Sequence, residues 1–231
     1  MTMTFNPDDP RTWGGFRPLL MAHDVARSRD RSTAVVGGLH PYAPGRVGIG
    51  ELVELPQGLF GHARTSALAE IDRRYLSNAV IITDFSNDAT YAEIMYETFG
   101  PRVIGLHISR FGDGLQGERR PVKNGSLPVY TVGRTYLLEL LHTELQAQRL
   151  RIVDGPMARR AYEQLNALEP VMRESEIVYK MPTGQHDDLG ISCAMLVWAA
   201  GHPHLKQWVY PIEVALRPRR QPQRIDWRAW T

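Results

Sequence analysis

Asp187 and Asp188 stand side by side in Gly184-Gln185-His186-Asp187-Asp188-Leu189-Gly190-Ile191-Ser192, at the mouth of an apolar segment that runs to Ala200. From Leu189 onward almost every side chain is small or apolar, so the segment reads as a helix buried on most faces with both carboxylates at its positive end. Two roles fit such residues. Asp is a common N-cap, and an acidic first turn suits the helix dipole. A carboxylate held on the first turn by a core packed behind it also meets the demands of a divalent metal site. The choice turns on partner carboxylates elsewhere. Leu19-Leu20-Met21-Ala22-His23-Asp24 and Ala79-Val80-Ile81-Ile82-Thr83-Asp84 are short apolar runs, each ending in aspartate, the pattern of a buried strand with an acid at its C-terminal end. If those strands are parallel neighbours, Asp24 and Asp84 lie side by side and a helix starting at Asp187 leans over them. Carboxylates so gathered repel unless cations neutralise them, and hard oxygen donors favour Mg²⁺ or Mn²⁺ over zinc. Two such ions about 4 Å apart activate a water and stabilise the leaving oxygen of a phosphodiester.

Several elements must position these acids. Residues 1–17 are irregular, with turn signals and no periodicity. The run to Asp24, the polar stretch Val25 to Ser32 and the run Thr33-Ala34-Val35-Val36-Gly37-Gly38 predict a hairpin, and Val47 to Leu55 adds a third antiparallel strand beyond the turn residues Pro41, Pro44 and Gly45. Ala67, Leu68, Ile71 and Tyr75 recur at helical spacing, predicting a helix over 63–76. The strand ending in Asp84 leads to a loop whose Asn87 or Asp88 caps a helix through Phe99, and Arg102 to Ile108 is a fifth strand. Strand, helix, strand reads as a βαβ unit. Residues 109–128 carry four Gly, several basic residues and no clear period, predicting a long loop. Leu137, Leu138, Leu141 and Leu145 mark a helix over 133–148. Leu150 to Val153 is a short strand, Met157, Ala161, Leu165 and Leu168 mark a helix ended by Pro170, and Glu176 to Lys180 is strand-like. The expected class is α/β, a mixed five-stranded sheet flanked by helices.

Composition sets outer limits. With 231 residues, 43% hydrophobic and 23% charged, the chain is long enough for one sizeable core and ordinary for a globular protein. It holds no run of about 18 apolar residues, and its start lacks the basic and apolar regions of a signal peptide, so the expectation is a cytoplasmic protein with no membrane partner. The single cysteine, Cys193, excludes an internal disulfide and a Cys-based zinc cage and reads as a packed thiol.

A net charge of +2 is too small to mark a nucleic-acid partner by itself. The distribution says more. Arg110, Arg119, Arg120 and Lys123 fall in the glycine-rich stretch, where they are expected to grip a phosphate backbone. Arg217, Arg219, Arg220, Arg224 and Arg228 crowd the last residues beside Trp227 and Trp230, which suit a partner subunit, nucleic acid or a disordered end. His186, in a turn, is expected to serve hydrogen bonding rather than proton transfer. His202-Pro203-His204 lacks a third metal ligand at sensible spacing and reads as a helix-ending turn.

The three-strand opening with Asp on its first strand, the acid ending the fourth strand and the late His-Asp-Asp-Leu helix resemble the RNase H-like nuclease fold. Asp24-Val25-Ala26-Arg27-Ser28-Arg29-Asp30-Arg31-Ser32-Thr33 and Gly184-Gln185-His186-Asp187-Asp188-Leu189 are similar to the first and last motifs of the C-terminal nuclease domain of phage terminase large subunits, over roughly residues 18–202. The resemblance implies that Asp24, Asp84 and Asp188 are catalytic and metal-holding, with Asp187 a further ligand or an orienting group, and that two Mg²⁺ or Mn²⁺ ions serve endonucleolytic cutting of double-stranded viral DNA during packaging. Asp30 and Asp88 match more loosely and read as turn or cap residues. Implied partners are the DNA, a terminase ATPase domain or subunit and the portal. No Gly-x-x-x-x-Gly-Lys-Ser/Thr phosphate loop occurs, so the chain is expected to be a nuclease domain excised from a longer protein or separately encoded. The expected divisions are an arm over 1–17, a nuclease domain over 18–205 and a basic tail over 206–231. Two other readings keep the fold: a resolvase of branched DNA, and a non-catalytic packaging module whose acids are caps.

Overall fold

The computed structural model describes residues 5–25, 31–86, 90–173, 176–184 and 186–203. Asp30, Asn87, Asp88, Gln185, His204 and the Arg- and Trp-rich tail therefore lie outside the described residues. The chain runs through strands β1 (Leu19–Asp24), β2 (Thr33–Leu39) and β3 (Val47–Glu54), helix α1 (Gly61–Arg74), strand β4 (Val80–Asp84), helix α2 (Tyr91–Phe99) and strand β5 (Val103–Ser109). Beyond them come β6 (Asp113–Val122), β7 (Gly125–Gly133), α3 (Arg134–Gln146), β8 (Leu150–Ile152), α4 (Pro156–Asn166), β9 (Glu169–Arg173), β10 (Glu176–Lys180) and α5 (Asp188–Gly201).

The five strands expected from the sequence form the middle of a larger sheet. Its order is β6-β7-β5-β4-β1-β2-β3-β8, eight strands in all, while β9 and β10 pair with each other apart from it. β1, β2 and β3 make the antiparallel meander, and β1 pairs parallel to β4, which pairs parallel to β5.

Alternation along the strands sorts side chains onto two faces. Leu20, Ala22, Val35, Val80, Ile82, Ile104 and Leu106 pack with residues of α3, α4 and α5, whereas Met21, Ala34, Val36, Ile81 and Val103 pack with α1 and α2. α5 is buried from Leu189 through Ala200, as its almost wholly apolar sequence requires. Gly190 permits its close approach to α4, since a Cβ there would lie 2.9 Å from a methyl of Leu165. Cys193 is buried in this helix, and burial pushes its thiol up to about 12.

The predicted loop over 109–128 is a β-hairpin. Its outer strand β6 is exposed at most positions, with a register shift between Asp113 and Gly117, so no alternation of apolar residues marks it. Glu118, Arg119, Arg120 and Pro121 are the charged and Pro residues that keep such an edge from pairing with another chain. α5 anchors the hairpin: Trp198 Nε1 donates to the Asp113 carbonyl (3.4 Å) and His202 Nε2 to that of Gly114 (2.8 Å). His202 is thus a helix-ending residue packed on Tyr130 and Trp198, in keeping with the turn reading. Pro170, expected only to end α4, lies within β9 opposite Tyr179.

A buried ion pair ties the other face together. Arg102, just before β5, bonds Asp72 of α1 (2.8 Å) and donates to the Ala79 carbonyl (2.8 Å), while the Ala79 amide donates to Asp72 (3.1 Å). That one knot joins the end of α1 to the starts of β4 and β5.

Candidate functional site

β1 and β4 run in parallel with His23 opposite Thr83, so one further step brings Asp24 opposite Asp84 at the same end of the sheet. Alternation puts both carboxylates on the face that α5 covers. The head of α5 is fixed over this end by Thr33, which is the β2 partner of Asp24. Thr33 Oγ1 donates to the Asp188 carbonyl (3.0 Å) and shares a hydrogen bond with Ser192 Oγ (2.7 Å). Two strands and one helix start therefore bring Asp24, Asp84, Asp187 and Asp188 together.

Electrostatics report the same gathering. The pKa of Asp24 is raised well above the usual carboxylate value, first by burial and then by the negative charges of Asp84, Asp188 and Asp187. Asp84 is also raised by burial, against the pull of hydrogen bonds from the Ser86 hydroxyl, the Ser86 amide (2.9 Å) and the Ile108 amide. The Ile108 amide also donates to Ser86 Oγ (2.7 Å), so Ser86 clasps Asp84 to the neighbouring strand. On the opposite face His23 is fully buried and pushed down to about 3, chiefly by burial, so it is neutral, with Nδ1–H donated to the Thr33 carbonyl (2.8 Å).

The cap reading of the acidic pair does not describe this helix. Asp187 occupies the N-cap position but makes no side-chain cap bond. Gln164 of α4 does that work, its Oε1 accepting from the amides of Leu189 (3.1 Å) and Gly190 (3.3 Å). Asp187 instead bonds Arg134, the first residue of α3. Replacing Gln164 with Ala is expected to cost about 1 kcal/mol, the usual worth of a cap, as a lower melting temperature.

The donor set suits a hard divalent cation, being carboxylates alone. Asp84 is turned to Ser86 and Asp187 to Arg134, and among the described residues no group of three His, Cys, Asp or Glu side chains stands close enough to hold an ion as they lie. The cluster matches such cations in chemistry, with its acids partly engaged by protein donors.

Comparison with solved structures places the fold. The large terminase nuclease from thermophilic phage G20c matches with a TM-score of 0.54 and 15% identity over 79% of this chain and 83% of that one. The same nuclease with bound magnesium matches at 0.55 and 16% over the same shares. The chain has the fold of a large terminase nuclease. A large mixed sheet flanked by helices matches the RNase H-like fold expected from the order of strands. No family model and no curated protein matches the sequence.

Within this terminase-nuclease fold the basic residues are spread out. Arg110 follows β5 at the acidic end, with its guanidinium over the Phe111 ring (5.0 Å). Arg119 and Arg120 pair with Pro128 and Leu127 of β7, three strands away from β4, roughly 14 Å at ~4.8 Å per strand. Lys123 lies in the hairpin turn, where its amide donates to Glu93 of α2 (2.8 Å). Only Arg110 of the four sits at the end of the sheet where the acids gather. His186 is exposed beside the acidic pair. Sequence reasoning missed Ser86, a loop residue that bonds Asp84 two positions before it, and it missed Arg134 and Gln164, which act across the fold on residues that their own segments do not foreshadow.

No helix among the described residues is long and apolar enough to cross a membrane.

Proposed function

We propose that the protein is a metal-dependent endonuclease that cuts double-stranded viral DNA during genome packaging. The observation that carries this reading is geometric: the parallel pairing of β1 with β4 brings Asp24 and Asp84 to one end of the sheet, under the acidic head of a helix that Thr33 pins there and Gln164 caps. A terminase-nuclease fold built around that cluster supports it. Asp24, Asp84 and Asp188 would hold two Mg²⁺ or Mn²⁺ ions, which when bound supply an activated water and neutralise charge at the leaving oxygen. The chain itself does the positioning. Ser86 orients Asp84, Thr33 pins the Asp188 backbone to β2, and the apolar body of α5 fixes the cluster from behind. Arg110 approaches the duplex beside the acids, and Arg119, Arg120 and Lys123 offer phosphate contacts along the hairpin. In this reading residues 18–205 are the nuclease unit, working with a packaging ATPase and the portal, between an N-terminal arm and a basic tail.

Supercoiled plasmid tests the reading. In Mn²⁺ the protein is expected to convert it to nicked and linear forms, with activity lost on chelation and in Asp84→Asn. No nicking by wild type leaves the non-catalytic packaging module as the better account, and equal nicking by both proteins identifies a contaminant. Dimers that prefer branched DNA would instead mark a resolvase.

A further inference from the structure

Arg134 opens α3, where a cation opposes the helix dipole and an acidic residue would be favoured. Its placement has another explanation. β7 runs parallel to β5 with Gly133 opposite Ser109, so Arg134 emerges at the same end of the sheet as Asp84. From there its guanidinium forks. Nη1 donates to the carbonyl of Tyr179 in β10 (2.6 Å) and Nη2 to the carboxylate of Asp187. The two acceptors bracket the turn that leads from β10 into α5, so one planar side chain closes that segment from both sides. Asp187 is 16% exposed and Arg134 32%, enough burial to hold the pair in one geometry.

We infer that Arg134 is a positioning residue that keeps Asp187 as an orienting group and thereby presents Asp188, not Asp187, to cations at Asp24 and Asp84. The inference rests on the nuclease reading and deepens it by assigning different roles to the two adjacent acids. Asp188 is fixed through its backbone by Thr33 on one side, and its neighbour is clasped by Arg134 on the other. Losing a partner that hydrogen-bonds a metal ligand typically costs 10–100-fold in metal affinity or activity, and Arg134, one contact further out, is expected at the low end of that range.

The test measures Mn²⁺ binding directly, by paramagnetic resonance of the free ion, alongside plasmid nicking and thermal melting. Arg134→Ala and Asp187→Asn are each expected to weaken Mn²⁺ binding about tenfold with little change in melting, and the double variant to be no weaker than either single one. Arg134→Lys keeps the charge but cannot fork between carbonyl and carboxylate, so it recovers only part of the affinity. Should Arg134→Ala not fold, Arg134→Lys and Asp187→Asn carry the same comparison. Unchanged binding overturns the inference. Tighter binding by Arg134→Ala overturns it too, since that would mean Asp187 is a ligand held back by the guanidinium. Asp24→Asn separates the two levels: if it leaves Mn²⁺ binding and nicking intact, the nuclease reading fails, and if it abolishes both while Arg134→Ala matches wild type, only the role of Arg134 fails.

Discussion

Asp24→Asn is expected to lose plasmid nicking by about a thousandfold, ~4 kcal/mol of transition-state stabilisation, while making the metal-free protein more stable. The two effects share one cause. Burial and the charges of Asp84, Asp188 and Asp187 raise the pKa of Asp24, so its ionised form is disfavoured by folding. Between the unfolded value and the raised folded value the native protein holds a proton that the unfolded chain has released. Stability is therefore highest below the unfolded value and falls as pH rises through the folded one. An amide at position 24 removes that fall. Above the unfolded value the gain should appear as a higher melting temperature for the variant than for wild type. Mn²⁺ should raise the melting temperature of wild type, by neutralising the same repulsion, and leave the variant nearly unmoved. Calorimetric scans of both proteins at pH 5 and 8, with and without Mn²⁺, check every part of this. A variant that is inactive and also less stable at pH 8 would show that Asp24 is a structural acid.

The second large effect lies across the sheet from the site. Arg102→Ala should destabilise the protein by about 3–5 kcal/mol, because Asp72, whose side chain is 2% exposed, would keep a buried charge with no cation beside it. The Ala79 carbonyl would lose its donor as well. Adding Asp72→Asn should restore part of the loss: an amide oxygen still accepts from the Ala79 amide, and no uncompensated charge remains. Urea melts of the single and double variants measure this directly. A loss under about 1 kcal/mol would mean that water reaches the pair and screens it.

The acids were legible because their segments carry strong local signals. Asp24 and Asp84 each end an apolar run that reads as a buried strand, whereas the parallel pairing of β1 with β4, only a condition in the sequence, is supplied by the structure. The apolar length after Asp188 likewise announces α5. The outer strand β6 gave no such signal, since an exposed edge strand needs no alternation and its glycines mimic a loop, while the apolar run of its partner β7 from Leu127 to Val132 went unread beside it. Nor did the sequence disclose what surrounds the acids. Gln164 lies 25 positions from Leu189 and Arg134 lies 53 from Asp187, so their roles exist only once α3 and α4 have packed beside α5. An aspartate at the head of a helix invites assignment as its cap, and only the tertiary contact with Gln164 shows that the amides are already satisfied.

That borrowed cap has a practical consequence. Because a glutamine on another helix closes the head of α5, either neighbouring carboxylate can be exchanged for its amide without unwinding the turn that bears it. Asp188→Asn, the exchange expected to silence the proposed activity, is expected to keep the native outline and the hairpin. On the proposed nuclease reading, such a variant is expected to serve as a decoy that traps uncut duplex.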